Sequence, residues 1–213
     1  MDSRRAESFS DGVFAVAITI LVFNLLTVGS TTSQLTWDFL GSKWPSYFAY
    51  VVSFLTIGIM WVNHHGMFAQ VSRVNRQLLL LNLLLLLGIV ALPFPTALVA
   101  EHLINSMPPS ATVAVVLYGI NMIVISVVFG STWLYLAWHA GGLGGTPLLR
   151  RLNWSTLRFT AGNVAYVGGT LIAAFLSPIA GLIIFGLTGL YYVFEHLPGA
   201  TAEDADSAGE SGA

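Results

Sequence analysis

QLLLLNLLLLLGIVALPFPTALV, residues 77–99, decides the fold. It holds the leucine runs Leu78–Leu81 and Leu83–Leu87, broken only by Asn82. A helix that crosses a bilayer needs roughly 20 mostly apolar residues, and this stretch supplies them. Backbone amides in lipid must find partners inside the segment, and a helix provides those partners. Five further stretches qualify on either side. They are Phe9–Val28, Trp44–Phe68, Ala111–Trp138, Leu157–Leu176 and Ile179–Phe194, with Pro178 punctuating the turn before the last. The expected fold is therefore all-α, a polytopic membrane protein of six transmembrane helices. No alternating barrel-type strands occur.

Composition agrees. Of the 213 residues, 55% are hydrophobic and 8% charged. A soluble domain carries about 25% charged residues, so this chain cannot cover a water-facing surface in the usual way. The absence of cysteine excludes disulfides and thiolate metal sites. Basic residues are few and scattered, which gives nucleic acid no footprint. Four of the ten acids, Glu203, Asp204, Asp206 and Glu210, crowd the Ala-, Gly- and Ser-rich end. Residues 1–196 are read as one membrane unit and 197–213 as a disordered acidic tail.

Charge sets the orientation. With six spans, the loops on the side of the N-terminus hold Arg4, Arg5, Arg73, Arg76, Arg150, Arg151 and Arg158, and the opposite loops hold Lys43 alone. The positive-inside rule puts both termini in the cytoplasm. Trp37, Trp44, Trp133, Trp138 and Trp154 fall near expected helix ends, where interfacial anchors sit.

Ionisable groups within membrane segments mark the places to look for function. Asp11 opens the first helix, and Trp61-Val62-Asn63-His64-His65 closes the second. If helix 1 runs outward and helix 2 returns, the two lie at one depth. Asp11 then accepts hydrogen bonds from Trp61, Asn63 or a histidine and pairs with Arg5, locking the helices together. The plainer reading is a carboxylate facing the positive end of a helix dipole. His64 and His65 point about 100° apart, so they do not share a metal. No GxSxG, HExxH or paired membrane carboxylates appear, so no enzyme and no cofactor is expected. Asn82, Asn121, Asn163, Ser126 and Thr170 read as helix-to-helix hydrogen-bonding groups.

Arg5, Phe9, Ser10 and Asp11 form the string RxxxFSD, continued by Gly12 to Val22 and joined by Trp61-x-Asn63-His64-His65. Together they resemble the prokaryotic branch of the endolysosomal potassium channel family. The resemblance implies a potassium-selective or potassium-permeable channel of the cell membrane, a homotetramer lined by helix 1 of each subunit. It places Val16, Ile20 and Phe23 in an apolar constriction and Thr19 beside them. These four lie within about 100° of one another on a helical wheel, with Asp11 about 140° from Val16. An apolar ring stops ions by dewetting when narrow, and no carbonyl filter of the TVGYG kind is present. Thr19 carries the one hydroxyl on that face and is the selectivity candidate. The plainer alternative is a bond to its own helix. Arg5, Phe9, Ser10, Asp11, Trp61, Asn63, His64 and His65 form the structural network in this reading. Phe23 stands where leucine is more usual, and Asn24 where an acid is common. A secondary transporter or proton pathway through Asp11, His64 and His65 is the competing reading, although no broken helix, inverted repeat or midplane charge speaks for it.

Overall fold

The computed structural model describes residues 3–26, 36–71, 73–105, 108–139 and 152–195. Within them the chain is all-helical: α1 (Ser3–Ile20), α2 (Phe23–Leu26), α3 (Trp37–Ser42), α4 (Trp44–Phe68), α5 (Arg76–Ala91), α6 (Pro93–Asn105), α7 (Pro108–His139), α8 (Leu152–Phe175) and α9 (Pro178–Glu195). Thr36 caps α3 by accepting from the Phe39 amide at 3.1 Å. Asn75 does the same for α5 through the Leu78 amide at 3.0 Å. Pro178 opens α9, where its missing N–H costs nothing.

Three stretches are long and apolar enough to cross a bilayer: Ser46–Phe68, Arg76–Leu103 and Pro109–His139. Ala161–Phe175 and Pro178–Tyr192 are shorter apolar helices. α1 is less apolar because Arg4, Arg5, Glu7 and Asp11 occupy its first half. α7 is central and packs against α5, α6, α8 and α9. α1 lies against α4 and α5 at one side of the bundle.

Two helices break where the sequence reading runs them through. α1 stops at Ile20 instead of continuing to Val28, and Val28 itself lies outside the described residues. At the break the Val22 amide bonds the Thr19 carbonyl, three residues back, at 3.3 Å. Ile18, Thr19, Ile20 and Val22 are β-branched and weak helix formers. The stretch 77–99 also divides, at Leu92. Pro93 lacks the N–H that would bond the Ile89 carbonyl. That carbonyl instead accepts from the Leu92 amide at 3.2 Å. A broken helix is therefore present after all.

Glycines set the closest approaches. A Cβ on Gly181 would meet the Ala173 Cβ at 2.6 Å and the Gly169 carbonyl at 2.7 Å, so α8 and α9 touch through their backbones. Gly88 lets α5 meet α7, where Asn121 donates to the Gly88 carbonyl at 3.2 Å. Gly168, expected to aid close packing, faces open space. Trp37, Trp44 and Trp138 are exposed near helix ends. Trp133 is partly buried against the core instead. Arg150, Arg151 and the acidic tail lie outside the described residues.

Candidate pore helix and its anchoring network

α1 has a buried stripe and an exposed one. Ser3, Ala6, Ser10, Phe14 and Ala17 are buried at spacings of three and four, the period of one helix face. Along the opposite stripe Phe9, Val16, Ile20 and Phe23 stand exposed, Val16 at 53% and Phe23 at 59%. Thr19 is exposed beside them, and its hydroxyl donates to the Val16 carbonyl at 2.9 Å. Phe23 keeps this exposure although the helix breaks before it.

The buried stripe is held by polar contacts. Ser10 Oγ donates to the Ala6 carbonyl at 2.8 Å and accepts from Asn82 Nδ2 at 2.9 Å. One hydroxyl has one proton, so the Asn82 amide must be the donor to Ser10. Its oxygen then faces His64 Nε2 at 2.8 Å, and that nitrogen carries the proton. Three helices, α1, α4 and α5, meet in this chain of bonds. The His64 ring is fully buried, stacked on Phe68 at 4.3 Å and tilted against Phe14 at 5.4 Å. Its Nδ1 has no hydrogen-bond partner.

Two contacts flank this core towards the end of the bundle. Trp61 Nε1 donates to Asp11 Oδ1 at 2.8 Å. His65 Nδ1 lies 2.7 Å from Glu7 Oε1, with the His65 side chain more than half exposed. The Trp61 and His65 rings sit 6.2 Å apart.

The structure departs from the sequence expectations at three residues. Arg5 is exposed and makes no ion pair with Asp11. Six positions on a helix rotate a side chain by about 240°, which turns Arg5 away. Phe9 faces outward rather than into the network. Asn63 sits about 160° from Trp61 on the helical wheel and borders α7, α8 and α9 instead of α1. Asn82 and Glu7 are the members that sequence reasoning did not place in the network. A lone amide inside two leucine runs is the signal for Asn82, because a buried amide needs partners. Among the described residues, no group of three His, Cys, Asp or Glu side chains gathers to hold a metal.

The family model described as endosomal/lysosomal potassium channel TMEM175 matches residues 5–93, the span that holds α1, α4, α5 and every network residue. A protein from Streptomyces collinus, named a potassium channel, is 41% identical over 211 residues, covering 96% of this chain and 98% of its own. The chain belongs to the TMEM175 family. Its fold is similar to the crystal structure of a lysosomal potassium-selective channel TMEM175 homolog from Chamaesiphon minutus, with a TM-score of 0.75 and 33% identity, over 91% of this chain and 97% of that one. The Gallus gallus protein named endosomal/lysosomal proton channel TMEM175 is 35% identical over 109 residues, 47% of this chain and 22% of that protein. The TMEM175 resemblance thus extends over nearly the whole chain among bacterial relatives and over less than half among vertebrate ones.

Proposed function

We propose that the protein is a potassium-permeable channel of the cell membrane, built from four copies with α1 of each around a central axis. Residues 1–196 form the channel unit and cross the membrane six times, with both termini cytoplasmic. Val16, Ile20 and Phe23 form an apolar constriction that conducts when widened and dewets when narrow. Thr19 presents hydroxyls that partly replace an ion's water, and its bond to the Val16 carbonyl leaves the oxygen lone pairs free to face a cation. Asp11 serves to fasten α1, not to bind the permeant ion. Ion passage needs no cofactor and no chemical step at a catalytic residue.

The observation that carries this reading is the two-sided α1. Its inner stripe is hydrogen-bonded to α4 and α5, while Val16, Thr19, Ile20 and Phe23 face away from the subunit. A helix so placed has one face free for an axis shared with other copies. Relatives named potassium channels support the ion. The name of the vertebrate relatives favours a second reading, proton passage.

Purified protein reconstituted in liposomes under opposed potassium and sodium gradients tests both. The reversal potential is expected to follow the potassium gradient and to stay put when a pH gradient is added. A reversal set by pH selects the proton reading, and flux coupled at fixed stoichiometry selects a transporter.

A further inference from the structure

α4 works on two sides. Trp61 and His65 turn towards α1, whereas Asn63 turns to the opposite flank. There, Thr56, Met60, Asn63, Ser126, Phe129 and Tyr166 line a cavity of about 60 Å³ between α4, α7, α8 and α9. Three of its polar side chains, Asn63 of α4, Ser126 of α7 and Tyr166 of α8, have no hydrogen-bond partner among the described residues. Tyr166 is only 5% exposed, so its hydroxyl has no bulk water to turn to.

Ser126 is the telling case. Thr132, Thr170 and Thr188, in the same bundle, each donate their hydroxyl to the carbonyl four residues back, at 2.7–2.8 Å. That bond is the usual resort of a hydroxyl in an apolar helix. Ser126 forgoes it. Burying an amide and two hydroxyls without partners costs about 1–3 kcal/mol each, so the cavity is not dry. A water needs about 10–15 Å³ of such space and two to four polar neighbours, so about four waters fit. No charged side chain lines the cavity, which excludes an ion as its occupant.

We infer that this cavity is a binding site for a small neutral hydrogen-bonding molecule, a short amide or alcohol of about four non-hydrogen atoms, with water filling it otherwise. Asn63, Ser126 and Tyr166 exchange hydrogen bonds with the polar end. Met60, Ile125 and Phe129 receive the apolar end. The site lies across α4 from α1, so an occupant acts on the helix that also anchors α1. It is independent of the conduction reading, because its test is binding.

Acetamide, which partitions little into detergent, is titrated into the purified full-length protein while the melting temperature is followed. A saturating rise of about 2–4 °C is expected. Ser126→Leu, whose branched chain fills the cavity, is expected to lose the rise. Ser126→Ala keeps the space but removes one hydroxyl, and its half-saturating concentration is expected to climb about 2- to 10-fold. No rise in the unaltered protein, a rise without saturation, or equal rises in the unaltered protein and Ser126→Leu overturn the site. Should Ser126→Leu fail to fold, equal half-saturation in Ser126→Ala and the unaltered protein overturns it instead.

Discussion

At the scale of single residues, Asn82 carries more than its one position in a leucine run suggests. It is the only described link between Ser10 and His64, donating to one and accepting from the other. Hydrogen bonds between membrane helices are worth about 0.6 kcal/mol on average. Removing one partner inside a buried chain costs more, because the others are left unpaired. Asn82→Leu is therefore expected to destabilise the protein by about 2–4 kcal/mol, a fall of about 4–16 °C in melting temperature. Adding His64→Phe, which removes the stranded N–H, is expected to recover part of that loss, and a melt of the double variant checks it. Thr19 makes the opposite case. Its hydroxyl is exposed and bonds only its own helix, so Thr19→Val should leave the melting temperature within about 1 °C. It is expected to lower the potassium-to-sodium permeability ratio, and an unchanged reversal potential would return the hydroxyl to a local helix role.

At the scale of elements, α1 divides its labour between faces. Cysteine at Val16 or Phe23 is expected to react with aqueous thiol reagents and block current. Cysteine at the fully buried Ala17 should stay inert. Reaction at Ala17 with protection at Val16 would reverse the assigned face. The α8–α9 contact is a different kind of element, since it rests on absent side chains. Gly181→Val would drive methyls into Ala173 and the Gly169 carbonyl. A loss of folded, monodisperse protein on size-exclusion chromatography is expected. Sequence alone made the helices legible, because long apolar runs leave few alternatives. It missed both breaks for reasons that are physical. Pro93 sits where a proline within a long apolar run is easily passed over, since neighbouring groups re-satisfy the freed carbonyl. The break after Ile20 has no proline or glycine, and only a cluster of β-branched side chains foreshadows it.

At the scale of the whole molecule, the network was partly legible. Asp11 with Trp61 followed from depth alone, because α1 and α4 run in opposite directions and place those residues together. The Arg5 pairing failed on helical rotation, and the Asn63 contact failed because α4 serves two neighbours. Neither face of α4 can be chosen from its own sequence, which is apolar nearly all round. The polar bonds across α1 fall at Glu7, Ser10 and Asp11, all in its first half. Beyond them Phe14, Ala17 and Leu21 hold the helix by packing only. α1 is thus a beam clamped at one end. From Ser10 to Ile20 it extends about 15 Å past the clamp. The deflection of such a beam grows with distance from its fixed point, so a small bend near Phe14 is magnified at Ile20 and Phe23. The bore would then be throttled by the tips of its staves, with the hinge moment set by how firmly Asn82 and Trp61 grip their bases.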